Sequence, residues 1–202
     1  ALGPQTIDFM QPTRHFFIHV PDAIDAGLHS LAAVSPGVMG TTGIESAAII
    51  RGVAEDVKPC CIIVIDALSA ASISRIGTTI QLSDTGIRPG SGLDNVRQAL
   101  NAETMGVPVI AIGVPTVVHA RAIIRDTLRL FGEEFPFITQ AAAEDTLPKL
   151  TDKLLAAFDG ELMVTPKEID ELIPRMARTI AAGITQAVHP GANRENYHQY
   201  ML

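Results

Sequence analysis

Asp66 is the residue best placed to do chemistry. It closes the run Cys60-Cys61-Ile62-Ile63-Val64-Ile65, an apolar stretch of strand length that ends in a carboxylate. Such runs read as strands buried on both faces of a parallel sheet. Ligands of open α/β sheets bind in the crevice beyond the carboxyl ends of the strands. A carboxylate there sits on a rigid strand at the mouth of a site, where it can act as acid or base. The plainer alternative is that Asp66 caps the next turn or helix. Glu45 and Asp84 follow glycine-rich loops at other strand ends. Both are candidates to support Asp66 or to hold a water or a metal. The alternatives are a first-turn helix acid for Glu45 and an Asx-turn for Asp84. Arg75 and Arg88 are candidates to pair with Asp84 or Asp66 and tune protonation, against surface ion pairing of little worth.

Holding these groups in place takes alternating strands and helices. Strands are expected over 15–20, 31–35, 60–65, 78–82 and 107–112, and helices over 43–56, 93–104 and 117–131. That alternation implies βαβ units: one α/β domain over residues 1–202 with a mostly parallel central sheet flanked by helices. The 78–82 strand follows its predecessor too closely for a long crossover and reads as an antiparallel or edge addition. A helix over 141–158 is interrupted or restarted at Pro148. Thr165-Pro166-Lys167-Glu168 carries the marks of a helix start, with Thr165 as N-cap and Glu168 closing a capping box. That helix runs to Val188 with a kink at Pro174, and the polar stretch 190–202 reads as a flexible tail.

The composition narrows the chemistry further. The chain has 202 residues, 47% hydrophobic and 18% charged, with a net charge of -7. There is no basic footprint for nucleic acid, no uninterrupted apolar stretch of membrane-spanning length, and no signal peptide at Ala1-Leu2-Gly3-Pro4. No Met begins the sequence, so residues before Ala1 are expected. Cys60 and Cys61 are adjacent on an expected strand, point to opposite faces, and read as buried apolar thiols in a reducing compartment. The glycine-rich loops 35–43, 84–92 and 113–116 have neither Walker nor dinucleotide-binding spacing, so no nucleotide cofactor is expected. No zinc-ligand spacing occurs, and no metal is expected. Ser69, Ser72, Ser74 and Ser91 lack nucleophile-elbow spacing, and buried thiols are poor nucleophiles. Serine and cysteine mechanisms are therefore disfavoured.

Ten strings, in one order along most of the chain, resemble the germination protease family of endospore-forming bacteria. They begin with Ala1-Leu2-Gly3-Pro4, Thr13-Arg14-His15, Ser35-Pro36-Gly37-Val38-Met39-Gly40 and Thr42-Gly43-Ile44-Glu45. Ile65-Asp66-Ala67-Leu68, Thr78-Thr79-Ile80-Gln81, Asp84-Thr85-Gly86 and Pro89-Gly90-Ser91-Gly92 follow. The last two are the stretch from Gly106 to Val118 and Met163-Val164-Thr165-Pro166-Lys167-Glu168. The resemblance implies an endopeptidase of the spore core that degrades small acid-soluble spore proteins during germination. It implies a zymogen trimmed near its amino terminus, a homotetramer, no cofactor, and a phosphorylase/hydrolase-like α/β fold similar to the hydrogenase maturation proteases. It also implies an atypical aspartic mechanism, although a metallopeptidase classification has been applied to the family.

The family relies on two aspartates. One falls on Asp66; the other directly precedes the Ala-Leu-Gly-Pro string and would stand just before Ala1. Two close carboxylates share one proton, because like charges at short range do not both ionise. The ionised one takes a proton from water while the other polarises the scissile carbonyl or protonates the leaving amine. Without its partner Asp66 has half of this machinery, so an inactive fragment is one alternative. The other is a metal-dependent peptidase, since the maturation relatives bind metal through a His and carboxylates and His119 begins a helix after the last glycine loop. His119 stands where the family usually has Asp, Arg88 where His is expected, and the interval between Phe131 and Glu161 is expected to be shorter than in better-known members.

Overall fold

A computed structural model of the chain describes residues 2–19, 27–89, 97–135 and 146–201. The chain divides into two units. The first comprises Ala1–Ala67, Gln81–Gly113 and Asp170–Leu202; the second comprises Leu68–Ile80 and Val114–Ile169. The architecture is mixed α/β, with a sheet flanked by helices.

The sheet contains β1 (Ile62–Ala70), β2 (Gln81–Ser83), β3 (Val109–His119) and β4 (Met163–Val164), in the order β1-β3-β2 with β4 also on β3. The β-branched runs 62–65 and 109–112 supply the strand propensity. β2 pairs antiparallel with β3 (Gln81 opposite Gly113), and so does β4 (Val118 opposite Val164). Among the described residues, two of the sheet's three pairings are therefore antiparallel, which corrects the expected mostly parallel sheet. The connection into β2 is short, and an antiparallel pair needs no crossover helix.

Both long strands overrun their expected ends. β1 continues past Asp66 to Ala70, and β3 runs through the expected 113–116 loop to His119. Pro115 lies inside β3 and has no N–H to give to a ladder; its carbonyl accepts the Gly77 N–H at 2.8 Å. Cys60 precedes β1 and is exposed, and Cys61 is half-buried, so neither is the buried thiol expected. The strand starts two residues after Cys60, at Ile62.

In the first unit, α1 (Leu2–Asp8) buries Leu2 and Thr6, and α2 (Arg14–His19) replaces the strand expected over 15–20. A six-residue apolar run does not tell helix from strand by period. The 31–35 stretch is irregular; Leu31 binds Thr13, its carbonyl accepting the Thr13 N–H at 2.9 Å. The expected 43–56 helix is α4 (Ser46–Val57), which starts three residues later; a short helix α3 (Met39–Thr42) precedes it and ends at Gly43 with φ 69°. Of the expected 93–104 helix, 93–96 lie outside the described residues, and α5 spans only Ala102–Met105.

The second unit carries α6 (Ala120–Glu134) and α7 (Thr146–Leu155). Val118 of β3 packs there with Ala70 and Ala122. Asp126 accepts the Ser72 hydroxyl at 2.8 Å, which holds its carboxyl below the usual range.

The long helix α8 (Ile169–Val188) lies in the first unit from Asp170 onward. It begins four residues after Thr165, which is not its cap: the Thr165 hydroxyl donates to the Thr116 carbonyl at 3.0 Å. Its buried stripe is Ala177, Ile180, Ala181, Ile184 and Thr185, at helical spacing. Beyond it the polar tail makes specific contacts. Ala192 is buried, Tyr200 stacks on the buried His189 at 5.9 Å, and Met201 bridges to Met10. His189 Nδ1 accepts the His29 N–H at 3.1 Å, and burial, with His29 nearby, pushes its pKa down.

Candidate active site

Asp66 is half-buried in the middle of β1, not at its end. Its Oδ1 accepts the Ala67 N–H at 2.8 Å. Burial pushes the carboxyl above its usual range; the Ala67 hydrogen bond and the positive charge of Arg97 pull the other way and are outweighed. Desolvation disfavours the charged carboxylate. Asp66 therefore holds its proton to higher pH than a surface Asp.

Arg97 was not anticipated. Its Nε is buried and has no hydrogen-bond partner among the described residues. Buried polar groups are nearly always paired, so an open N–H near an acidic carboxyl is a place for an incoming acceptor. The next residue joins a second carboxylate to the group: the Gln98 N–H donates to Glu45 Oε2 at 3.3 Å. Glu45 occupies the N-cap position of α4 with φ -62° and ψ 133°, yet its side chain does not cap that helix. The 97–98 segment thus links Glu45 with Asp66.

Gly86 secures that segment. Ile87 and Leu100 exchange backbone hydrogen bonds of 2.9 and 2.8 Å, and Leu100 is only 2% exposed. At Gly86 φ is 79°, and a Cβ would fall 2.7 Å from Asn101 Cα and still closer to the Leu100 carbonyl. The Asp84-Thr85-Gly86 string therefore matters here through its glycine. Asp84 itself is exposed, and the turn is made by Ser83, whose Oγ accepts the Thr85 N–H at 3.2 Å.

The chain's first helix passes the same strand. A Cβ on Gly3 would stand 3.2 Å from the Ile65 carbonyl, one residue before Asp66. The expected approach of Ala1 to Asp66 lies outside the described residues, as do Gly90, Ser91 and Gly92. His119 belongs to the second unit, where its Nδ1 is 3.7 Å from Glu161 Oε2. There it lines a depression of about 370 Å³ with Ser69, Arg121 and Arg125. Arg75 and Arg88 are exposed and form no ion pair among the described residues, so the expected pairing with Asp66 or Asp84 is absent there. Among the described residues, no three His, Cys, Asp or Glu side chains are grouped so as to hold a metal. No described helix is long and apolar enough to cross a membrane.

The fold and this group of residues describe an α/β protein with a proton-holding carboxyl on a rigid strand, and comparison with known proteins gives it a family. The germination protease family model matches residues 1–136 and 134–201. The germination protease of Clostridium acetobutylicum is 41% identical over 211 residues, covering 100% of this chain and 64% of that protein. That of Bacillus subtilis is 40% identical over 240 residues, covering 99% of this chain and 65% of the relative. The chain belongs to the germination protease family, and it spans just under two thirds of the length of these curated relatives. The two matched stretches meet at 134–136, inside the interval expected to be short.

Proposed function

We propose that the chain carries the strand-borne half of an aspartic-type endopeptidase site. In it, water is activated between Asp66 and a second carboxylate that precedes Ala1. The observation that carries this reading is the Asp66 carboxyl, pushed up by burial and felt by the positive charge of Arg97, whose buried Nε has no partner among the described residues. A carboxyl in that state can protonate a leaving amine, and a buried donor beside it can receive a scissile carbonyl oxygen or the partner carboxylate. Glu45 is a positioning residue: it holds Gln98, and so Arg97, by a backbone hydrogen bond. Asp84 and His119 are assigned to substrate contact rather than to the proton-sharing pair. Membership in a family of germination proteases supports proteolysis during germination. From the resemblance come the remaining parts of the proposal: small acid-soluble spore proteins as substrate, the homotetramer, the spore-core location and the fold likeness to hydrogenase maturation proteases.

The test is cleavage of a purified small acid-soluble spore protein by the enzyme with the segment preceding Ala1 included, read by mass spectrometry. Asp66→Asn keeps the side chain's shape and removes its proton chemistry. Paired catalytic groups act as a unit, so the expected loss is on the order of a thousandfold or more in kcat. Cleavage by Asp66→Asn at the parent rate and at the same bonds would remove Asp66 from the mechanism.

A further inference from the structure

A groove of about 820 Å³ runs along α8 in the first unit, and its charge contradicts that of the chain. The protein carries a net charge of -7. Yet Arg175, Arg178 and Arg194 line the groove, with no carboxylate in its lining. None of the three makes an ion pair among the described residues. Arg178 lies over the Phe9 ring at 4.8 Å, which fixes one guanidinium at the wall, and Tyr197 adds a second aromatic surface.

Gly183 bears independently on the same groove. It sits well inside a 20-residue helix, it lines the groove, and a Cβ added there would meet nothing within 4 Å. An interior helical glycine costs about 1 kcal/mol relative to alanine. Among the described residues nothing meets a Cβ there, so the glycine leaves room for a second backbone to lie close against α8.

We propose that this groove binds an extended acidic peptide segment. Arg175 and Gly183 are separated by about 12 Å along the helix axis, the length of about four extended residues. The arginines match carboxylate side chains in charge and fork geometry, Tyr197 offers an apolar surface for the side chains between them, and Gly183 lets the peptide backbone approach. Nucleic acid fits less well: the chain is acidic overall, and the Phe9 face that would stack a base is covered by Arg178. The proposal is independent of catalysis by Asp66.

Fluorescence anisotropy with a fluorescein-labelled peptide of alternating Glu and Leu tests it, on the protein with its upstream segment present. Saturable binding that weakens as salt rises is expected, with no binding of the matching Lys-Leu peptide. The double variant Arg175→Gln, Arg194→Gln changes only exposed side chains and should weaken binding about tenfold. Gly183→Leu should weaken it while leaving Tm unchanged or raised. If that variant fails to fold, the arginine pair still decides. The proposal is overturned by equal affinity for the Lys peptide, by tighter binding of oligothymidylate, or by unchanged affinity in the arginine variant. Sedimentation supplies a further arm: self-association that disappears in the same variants would give the groove to a second copy of the chain and likewise overturn it.

Discussion

Two glycine-to-alanine changes in this protein should have opposite signs, and the difference follows from two local geometries. At Gly86 the backbone is left-handed at φ 79°, which costs a residue with a Cβ roughly 1–2 kcal/mol. The new methyl would also fall within 2.7 Å of Asn101 Cα and 2.8 Å of Asn101 Cβ, and would overlap the Leu100 carbonyl. These are backbone-anchored atoms in a bridged segment beside buried Leu100, so the segment must retreat rather than a side chain swing away. Overpacking of that kind costs roughly 1–3 kcal/mol. The sum is about 2–5 kcal/mol, or a Tm lower by about 10 °C for a chain of this size. At Gly183 the backbone is helical and the added methyl meets nothing, so Gly183→Ala should stabilise by about 0.5–1 kcal/mol. Thermal and urea unfolding of both variants, side by side with the parent, measure the contrast. Gly86→Asn separates the two costs: Asn tolerates the left-handed region but still brings a Cβ, so it should recover only the smaller part. A Gly86→Ala protein as stable as the parent would refute the argument, and with it the claim that Gly86 sets the position of the 97–101 segment.

Asp66→Asn should raise stability at neutral pH while abolishing activity. A carboxyl whose folded pKa is raised contributes stability that is full below its unfolded pKa and is lost as pH rises through the folded value. The advantage of Asn, read by urea unfolding across pH, should therefore vanish in acid; a constant difference from pH 3 to pH 8 would contradict it. Arg97→Met removes the charge that lowers the Asp66 pKa, so the alkaline limb of the rate profile, set by loss of the Asp66 proton, should move to higher pH, with Arg97→Lys partly restoring it. His189 is held neutral by burial, so stability should fall as pH drops below about 6.5, the ordinary His pKa, and His189→Gln should flatten that limb. Cys60 should react with a thiol reagent faster than Cys61 in the native protein, since Cys60 is exposed and Cys61 half-buried; equal rates would contradict the observed start of β1.

Much of the fold was legible because long apolar runs leave few options. The β-branched apolar runs at 62–65 and 109–112 are strands, and the 169–188 stripe is a helix, as its helical spacing predicts. What failed was local punctuation. The Thr165 capping box is a statistical signature, and here its hydroxyl is drawn off to the Thr116 carbonyl by tertiary contact. Short apolar runs at 15–20 and 31–35 carried no decisive period, and the structure resolves them through Thr13 and Leu31, 18 residues apart, a pairing no window of the sequence contains. The site divides in the same way. Asp66 and Glu45 could be named because a carboxylate after an apolar run or a glycine loop is conspicuous. Arg97 could not: it is one Arg in a stretch that reads as a helix, and its importance arises only where Gly86 admits the 99–101 segment bridged to Ile87.

The two influences on Asp66 oppose one another, and that opposition bears on how a second carboxylate would act. Burial favours the neutral acid; Arg97 favours the anion and loses. A site with burial alone would keep Asp66 protonated and useless as a base. A site dominated by the arginine would keep it ionised and useless as an acid. With both present, the decisive term is whatever charge arrives next. An incoming carboxylate raises the Asp66 pKa further by like-charge repulsion and can itself take the open Arg97 Nε–H. On the two-carboxylate proposal the shared proton then falls to Asp66, which serves as the acid toward the leaving amine, and the partner serves as the base toward water. The assignment predicts that Arg97→Met in the enzyme with its upstream segment should depress kcat more than it raises KM, because it disturbs which carboxylate holds the proton. A variant that altered KM alone would show Arg97 to be a substrate anchor instead.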